Sequence, residues 1–254
     1  MKVTFLGTGT SQGVPVIACD CQVCTSPDPC DKRLRVSVLV EENGKSLLID
    51  SGPDFRYQML RAGVKHLDAI LFTHEHKDHI AGLDDVRAFN YRTQKAIDVY
   101  AHTRVQSALR REFAYVFSDF KYPGIPQINL HDITGEKLTI AGVEITPIEV
   151  MHFLLPVFGF RIGDFTYITD AKTVSEESRH LIRGSKVLVI NALQREDHIS
   201  HFTLSEALEF ASEMGAEKTY LTHISHRMGR HMAVSASLPP GVELAYDGLQ
   251  LQMG

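Results

Sequence analysis

Apolar residues in this chain come mostly in short alternating or unbroken runs, the pattern of strands, and only a few stretches repeat at the spacing of an amphipathic helix. Residues 2–7, 36–42, 45–50, 68–72, 97–102, 186–192 and 218–223 read as strands. Residues 54–62, 83–90, 103–117, 175–183 and 203–214 read as helices, the first closed by Gly63. Hairpin turns are expected at Asn43-Gly44, Ala141-Gly142 and Gly163-Asp164, and a last one at Asp247-Gly248 within residues 242–252. Residues 118–131, with Pro123, Gly124 and Pro126, read as a loop near the rim of a site. No internal repeat, low-complexity tract or linker interrupts the pattern. Hairpins mixed with alternating strands and helices predict an α+β fold, two sheets flanked by helices in one domain over residues 1–254.

Composition narrows the partners more than the fold. A chain of 254 residues with 44% hydrophobic content can bury a sizeable core. The net charge of −5, from 26 basic and 31 acidic side chains, disfavours gripping long nucleic acid by overall field and leaves room for a local basic pocket. Met1 to Gly7 enters a strand pattern without an apolar leader, and no apolar stretch approaches bilayer-spanning length. The expectation is a soluble cytoplasmic protein with no membrane partner. Cys19, Cys21, Cys24 and Cys30 crowd into twelve residues, which suggests metal ligation before disulfides. A CxC pair is also awkward to bridge.

The densest chemistry is Thr73-His74-Glu75-His76-Lys77-Asp78-His79, directly after the apolar run 68–72. In the pattern HxHxDH, neutral imidazoles and a carboxylate leave one tight turn together, a set suited to zinc, manganese or iron. Further ligand types stand at strand ends: His152, Asp170 and His223. Seven ligands exceed what one tetrahedral ion takes and fit two ions sharing a carboxylate. Asp50, after residues 45–49, is open to two readings, a turn-starting residue or an orienter of a metal ligand. The run Gly7-Thr8-Gly9-Thr10-Ser11-Gln12-Gly13 is equally open between an anion cradle and a flexible strand exit, since it lacks dinucleotide and Walker spacing. Arg104, Arg110 and Arg111 read as a solvated helix face.

The HxHxDH turn followed by a lone His, a lone Asp and a final His resembles the metallo-β-lactamase superfamily across essentially the whole chain. The resemblance implies a four-layer αββα sandwich with two divalent ions, zinc or manganese, at one edge between the sheets. It places His74, His76 and His152 on one ion, Asp78, His79 and His223 on the other, and Asp170 between them. The run from Gly7 to Pro15, Cys19-x-Cys21-x-x-Cys24, His223-Ile-Ser-His226 and the ending from Leu238-Pro239 to Asp247-Gly248 look like the phosphoribosyl cyclic phosphodiesterases of the carbon-phosphorus lyase pathway. That likeness implies a structural zinc on Cys19, Cys21, Cys24 and His226, in a loop at about 19–30, with Cys30 left over. It also implies that His201 faces the substrate and protonates the leaving oxygen, with Asp78 the other catalytic candidate and His198 a loop histidine. The expected function is hydrolysis of a small phosphodiester, a cyclic ribose phosphate among them, by water activated between two metals. A homodimer is compatible with it. A ribonuclease Z-like nuclease is the main competitor, but the sequence has no glycine-rich or basic insertion to grip transfer RNA. A glyoxalase-type thioester hydrolase fits neither the CxCxxC cluster nor the GTSQGVP run, and a redox di-iron site would want a carboxylate where His76 stands.

Overall fold

The computed structural model describes residues 1–120 and 122–254; Lys121, inside the loop expected at 118–131, lies outside them. The first sheet is built from β1 (Lys2–Gly7), β2 (Ser37–Glu42), β3 (Lys45–Ile49), β4 (Ala69–Leu71), β5 (Ile97–Ala101) and β6 (Ile128–Asp132). The second comprises β7 (Leu138–Ile140), β8 (Val143–His152), β9 (Leu155–Ile162), β10 (Phe165–Tyr167), β11 (Val187–Asn191), β12 (Lys218–Thr222) and β13 (Val242–Leu244). A last strand, β14 (Gln250–Gln252), returns to the edge of the first sheet beside β1. Strands β3 to β6 pair in parallel, as do β10 to β13, while β1–β2–β3 and β7–β8–β9–β10 are antiparallel.

The two sheets face each other across a core that includes Phe5, Val38, Leu47, Leu71, Phe160, Phe165, Tyr167 and Val189. Each large side chain buried there contributes roughly 2 kcal/mol of transfer free energy. Both outer faces are also covered, which is why the parallel strands read as unbroken apolar runs: Leu47-Leu48-Ile49, Ala69-Ile70-Leu71 and Leu188-Val189-Ile190. Helices α1 (Phe55–Ala62), α3 (Arg87–Thr93) and α4 (Thr103–Glu112) pack Phe55, Met59, Phe89, Val105 and Leu109 on the first sheet, with the single turns α2 (Lys77–Ile80) and α5 (Ala114–Phe117) beside them. Helices α6 (Glu176–Ile182), α7 (Leu204–Met214) and α8 (His231–Ser235) pack Ile182, Leu204, Phe210 and Val234 on the second. The result is the αββα sandwich, one domain over the chain.

Three expectations change. The end of the expected 118–131 loop is the edge strand β6, paired with β5. Residues 242–252 are not a hairpin: β13 pairs in parallel with β12, and β14 pairs with β1 in the other sheet. The Asp247-Gly248 turn carries the chain between sheets, and buried Asp247 fixes that crossing by accepting from Thr8 Oγ1 (2.8 Å) and Leu34 N (2.8 Å). A further hairpin joins β8 to β9 with Phe153-Leu154 at its tip, between the paired His152 and Leu155. Among the described residues, no helix is long and apolar enough to cross a membrane.

Candidate metal centre

In open parallel sheets the carboxyl ends of the strands expose loop residues at one edge, and the candidate site is built there. Asp50 follows β3, residues 73–79 follow β4, His152 ends β8, Asp170 lies beyond β10 and His223 follows β12. Asp50, Asp170 and His223 each take a left-handed backbone, at φ 62°, 60° and 56°. Non-glycine residues pay roughly 1 kcal/mol or more for that conformation, which turns the chain sharply so that the side chain faces the gap between the sheets. The HxHxDH turn is clamped from below. Gly82 N donates to Ser51 O and Ser51 N to His79 O, both at 2.8 Å, and a Cβ on Gly52 would sit 2.0 Å from Asp78 O.

The seven ligand-type side chains come together in two groups that share Asp170. His74, His76, His152 and Asp170 form one, and Asp78, His79, Asp170 and His223 the other; within each, the candidate donor atoms lie within 4.8 Å of one another. Asp170 Oδ2 lies 3.8 Å from His74 Nε2, while Oδ1 lies 3.6 Å from His79 Nε2 and 3.3 Å from His223 Nε2. Donors about 2.1 Å from a common tetrahedral ion stand about 3.4 Å apart, so these separations suit ligation. Nε2 of His79 and both ring nitrogens of His223 are buried with no hydrogen-bond partner among the described residues, although each Nε2 lies within 3.6 Å of Asp78 and Asp170. A divalent cation would satisfy the two Nε2 atoms, and the imidazole and carboxylate donors of each group fit such an ion.

Around these donors, neighbours hold the rings in place. His79 Nδ1–H donates to Asp50 Oδ2 (2.7 Å), and Asp50 in turn accepts from Thr73 N and Thr73 Oγ1, both at 2.9 Å. Of the two readings open for Asp50, the structure takes the orienting one. His152 Nδ1–H donates to Ser200 O (2.8 Å), which leaves its Nε2 free. Thr73 and Ser200 are not among the expected site residues. Neither a strand-end threonine nor a backbone carbonyl carries a sequence signal.

Burial opposes the charges of Asp78 and Asp170, but His79 and His223 outweigh it and hold both carboxyls well below the ordinary range. Burial likewise opposes a charge on His79, and Asp78, Asp170 and Asp50 overcome it and hold the imidazolium well above its usual value. Burial, then the charge of His79, pushes His74 down, leaving a neutral ring ready to coordinate. His201 stacks on His223 with ring centroids 4.8 Å apart, and its Nε2 lies 3.2 Å from Asp170 Oδ2. Burial lowers its pKa to about 4 against the pull of Asp170. His198 is not isolated, since its Nδ1 lies 3.2 Å from His201 Nδ1.

Away from this centre, His226 Nδ1 lies 3.2, 3.4 and 3.6 Å from the sulfurs of Cys19, Cys21 and Cys24. Cys30 stands outside that group. In the glycine-rich run Gly9 N donates to Leu34 O (2.8 Å) and Thr10 N to Ile224 O (3.2 Å), so these residues brace the strand end that bears His223. Arg110 and Arg111 are exposed as expected, whereas Arg104 ion-pairs with Glu75 of the metal-site turn at 2.8 Å.

Comparison with known proteins agrees with this architecture. Over 100% of this chain and 98% of its own, a structurally characterised diphosphatase of the PhnP family superposes with a TM-score of 0.93 at 40% identity. An octanoyltransferase of Porphyromonas gingivalis is 39% identical over 98% of this chain, which spans 51% of that relative's length. A ribonuclease Z of Mycobacterium sp. (strain KMS) is 25% identical over 88% of this chain and 84% of its own. Residues 45–224, from the strand that presents Asp50 to just past His223, match the family described as Beta-lactamase superfamily domain. With its two sheets, its shared Asp170 and its histidine turn, the chain belongs to the metallo-β-lactamase superfamily.

Proposed function

We propose that this chain is a two-metal phosphodiesterase acting on small molecules. The observation that carries the reading is the split of Asp170 between two ligand groups with His201 standing over it. The likeness to a PhnP-family diphosphatase over the whole chain supports phosphorus, rather than an acyl carbon, as the centre attacked. The octanoyltransferase's name belongs to a protein about half of which this chain matches, and acyl transfer is not carried over. In this reading His74, His76, His152 and Asp170 hold one ion and Asp78, His79, Asp170 and His223 the other. Divalent ions held there supply Lewis acidity, neutralising phosphate charge and making water a stronger acid. Cys19, Cys21, Cys24 and His226 take a separate structural zinc, three thiolates and an imidazole making a closed set.

The chain's own part is orientation and proton delivery. Asp50 and Ser200 O fix which nitrogen of His79 and His152 faces the centre. His201 is neutral at pH 7 in the free protein, with a pKa near 4. An anionic ester beside it reverses that push, so the imidazole gains its proton with the substrate and gives it to the departing oxygen. A small anionic ester also suits a chain of net charge −5 better than transfer RNA does.

The test is a panel: manganese- or zinc-loaded protein on bis(p-nitrophenyl) phosphate, a ribose cyclic phosphate, precursor transfer RNA and S-lactoylglutathione. Hydrolysis of the thioester alone sinks the proposal. His201→Ala is expected to slow phosphodiester turnover by about 10²- to 10⁴-fold with metal content intact. Full activity in that variant removes the proton-delivery role.

A further inference from the structure

Among the described residues, four hairpins turn on two residues. Three have glycine at the tip, Asn43-Gly44, Ala141-Gly142 and Gly163-Asp164, and each takes the left-handed backbone such turns require. The fourth, between β8 and β9, has Phe153-Leu154. Phe153 holds φ at 57°, a conformation that disfavours a bulky aromatic residue, and both side chains face water, 49% and 76% exposed. This tip therefore breaks two local rules at once, backbone strain and apolar exposure. Residues that break such rules concentrate at functional sites.

The position of the tip gives the breach a use. Phe153 directly follows His152, whose Nδ1–H bonds Ser200 O at 2.8 Å and whose ring lies 4.6 Å from that of His201. The same loop carries Ile199, 65% exposed, two residues before His201. Two loops, each bearing a histidine of the centre and joined by a hydrogen bond, thus carry the exposed Phe153, Leu154 and Ile199 within two residues of those histidines. A wholly polar sugar phosphate offers these side chains nothing to cover.

Resting on the phosphodiesterase reading, we infer that the ester taken by this site carries an apolar arm of about the size of an aromatic ring, and that this arm lies against Phe153, Leu154 and Ile199. These residues set specificity and take no part in bond breaking. Covering on the order of 60 Å² of apolar surface corresponds to about tenfold in affinity.

The test separates binding from turnover. Calorimetry on the metal-loaded protein compares phenylphosphonate with methylphosphonate, at a pH where both are dianions. The wild type should prefer the phenyl ligand about tenfold, and the combined variant Phe153→Gly, Leu154→Ser, Ile199→Ser should lose most of that preference. Glycine suits the backbone at position 153, so the hairpin keeps its turn; Ile199→Ser alone repeats the test from the other loop. A wild-type preference near one, or a preference that survives in the variants, overturns the inference. Turnover of bis(p-nitrophenyl) phosphate by the same wild-type sample keeps the two readings apart. Turnover without phenyl preference removes the apolar arm alone, and absence of turnover on any phosphodiester removes both.

Discussion

Replacing Asp50 by asparagine keeps its shape and removes one charge, and the hydrogen bonds around it dictate the outcome. The carboxylate accepts Thr73 N–H on Oδ1, and Thr73 O–H together with His79 Nδ1–H on Oδ2. An amide has one acceptor oxygen. If that oxygen faces Thr73 N–H, the NH₂ faces His79 Nδ1 and drives the proton to Nε2, the atom that coordinates in the proposed centre. If the amide flips, NH₂ opposes Thr73 N–H in a site with 0% exposure, a donor–donor conflict worth about 1–3 kcal/mol. Either way the cost falls on the group formed by Asp78, His79, Asp170 and His223, and about 1–3 kcal/mol is a 5- to 150-fold loss of metal affinity. Loss of an orienting partner at a metal ligand generally falls in that range. Chelator competition followed by elemental analysis measures it: in the proposed two-metal centre, Asp50→Asn should release the ion of that group at a lower chelator concentration than wild type. Two ions released at midpoints within threefold of wild type would refute the orienting role.

Other consequences are equally direct. Gly52→Ala puts a methyl group where Asp78 O lies 2.0 Å away, so the turn must shift; a loss of about 2–3 kcal/mol is expected, and thermal unfolding matching wild type would count against the clamp. Cys21→Ser should remove about one zinc per chain and lower stability, while unchanged zinc stoichiometry would remove the separate site. In metal-stripped protein a backbone hydrogen bond from Cys24, ahead of one from His226, lowers the Cys21 pKa to about 6. Iodoacetamide at pH 7 should therefore label Cys21 before the buried Cys24, whose pKa burial raises to about 11, and bound zinc should block both. Denaturant unfolding of the metal-free protein gives a pH test. His79, raised in the fold, contributes stability that is complete below about pH 6.5 and lost as pH rises through its folded value, whereas Asp78 and Asp170, depressed, contribute above about pH 4 and lose it as pH falls. Because the depressed His74 and His201 act in the opposite sense, the test is made on one residue: in chelated protein the stability lost on His79→Gln should be larger at pH 5 than at pH 9, and the reverse order would contradict the assignment.

The parts of this molecule legible in its sequence are those whose cause is local. Alternation and unbroken apolar runs mark the strands because their faces are buried by neighbours of any identity, and HxHxDH stands out because one turn carries its ligands. Asp50 is ambiguous in sequence because a turn-starting aspartate and a ligand-orienting one have the same spacing; only Thr73 and His79, at 2.7–2.9 Å, separate them. The Asp247-Gly248 turn has hairpin chemistry without being a hairpin, since the partner of β14 is β1 at the other end of the chain. The β8–β9 hairpin fails in the opposite sense, with the geometry of a tight turn and none of its residues. A turn rule describes what a backbone prefers when nothing else acts on it. Phe153 overrides it at a tip exposed to solvent, one residue from the candidate ligand His152.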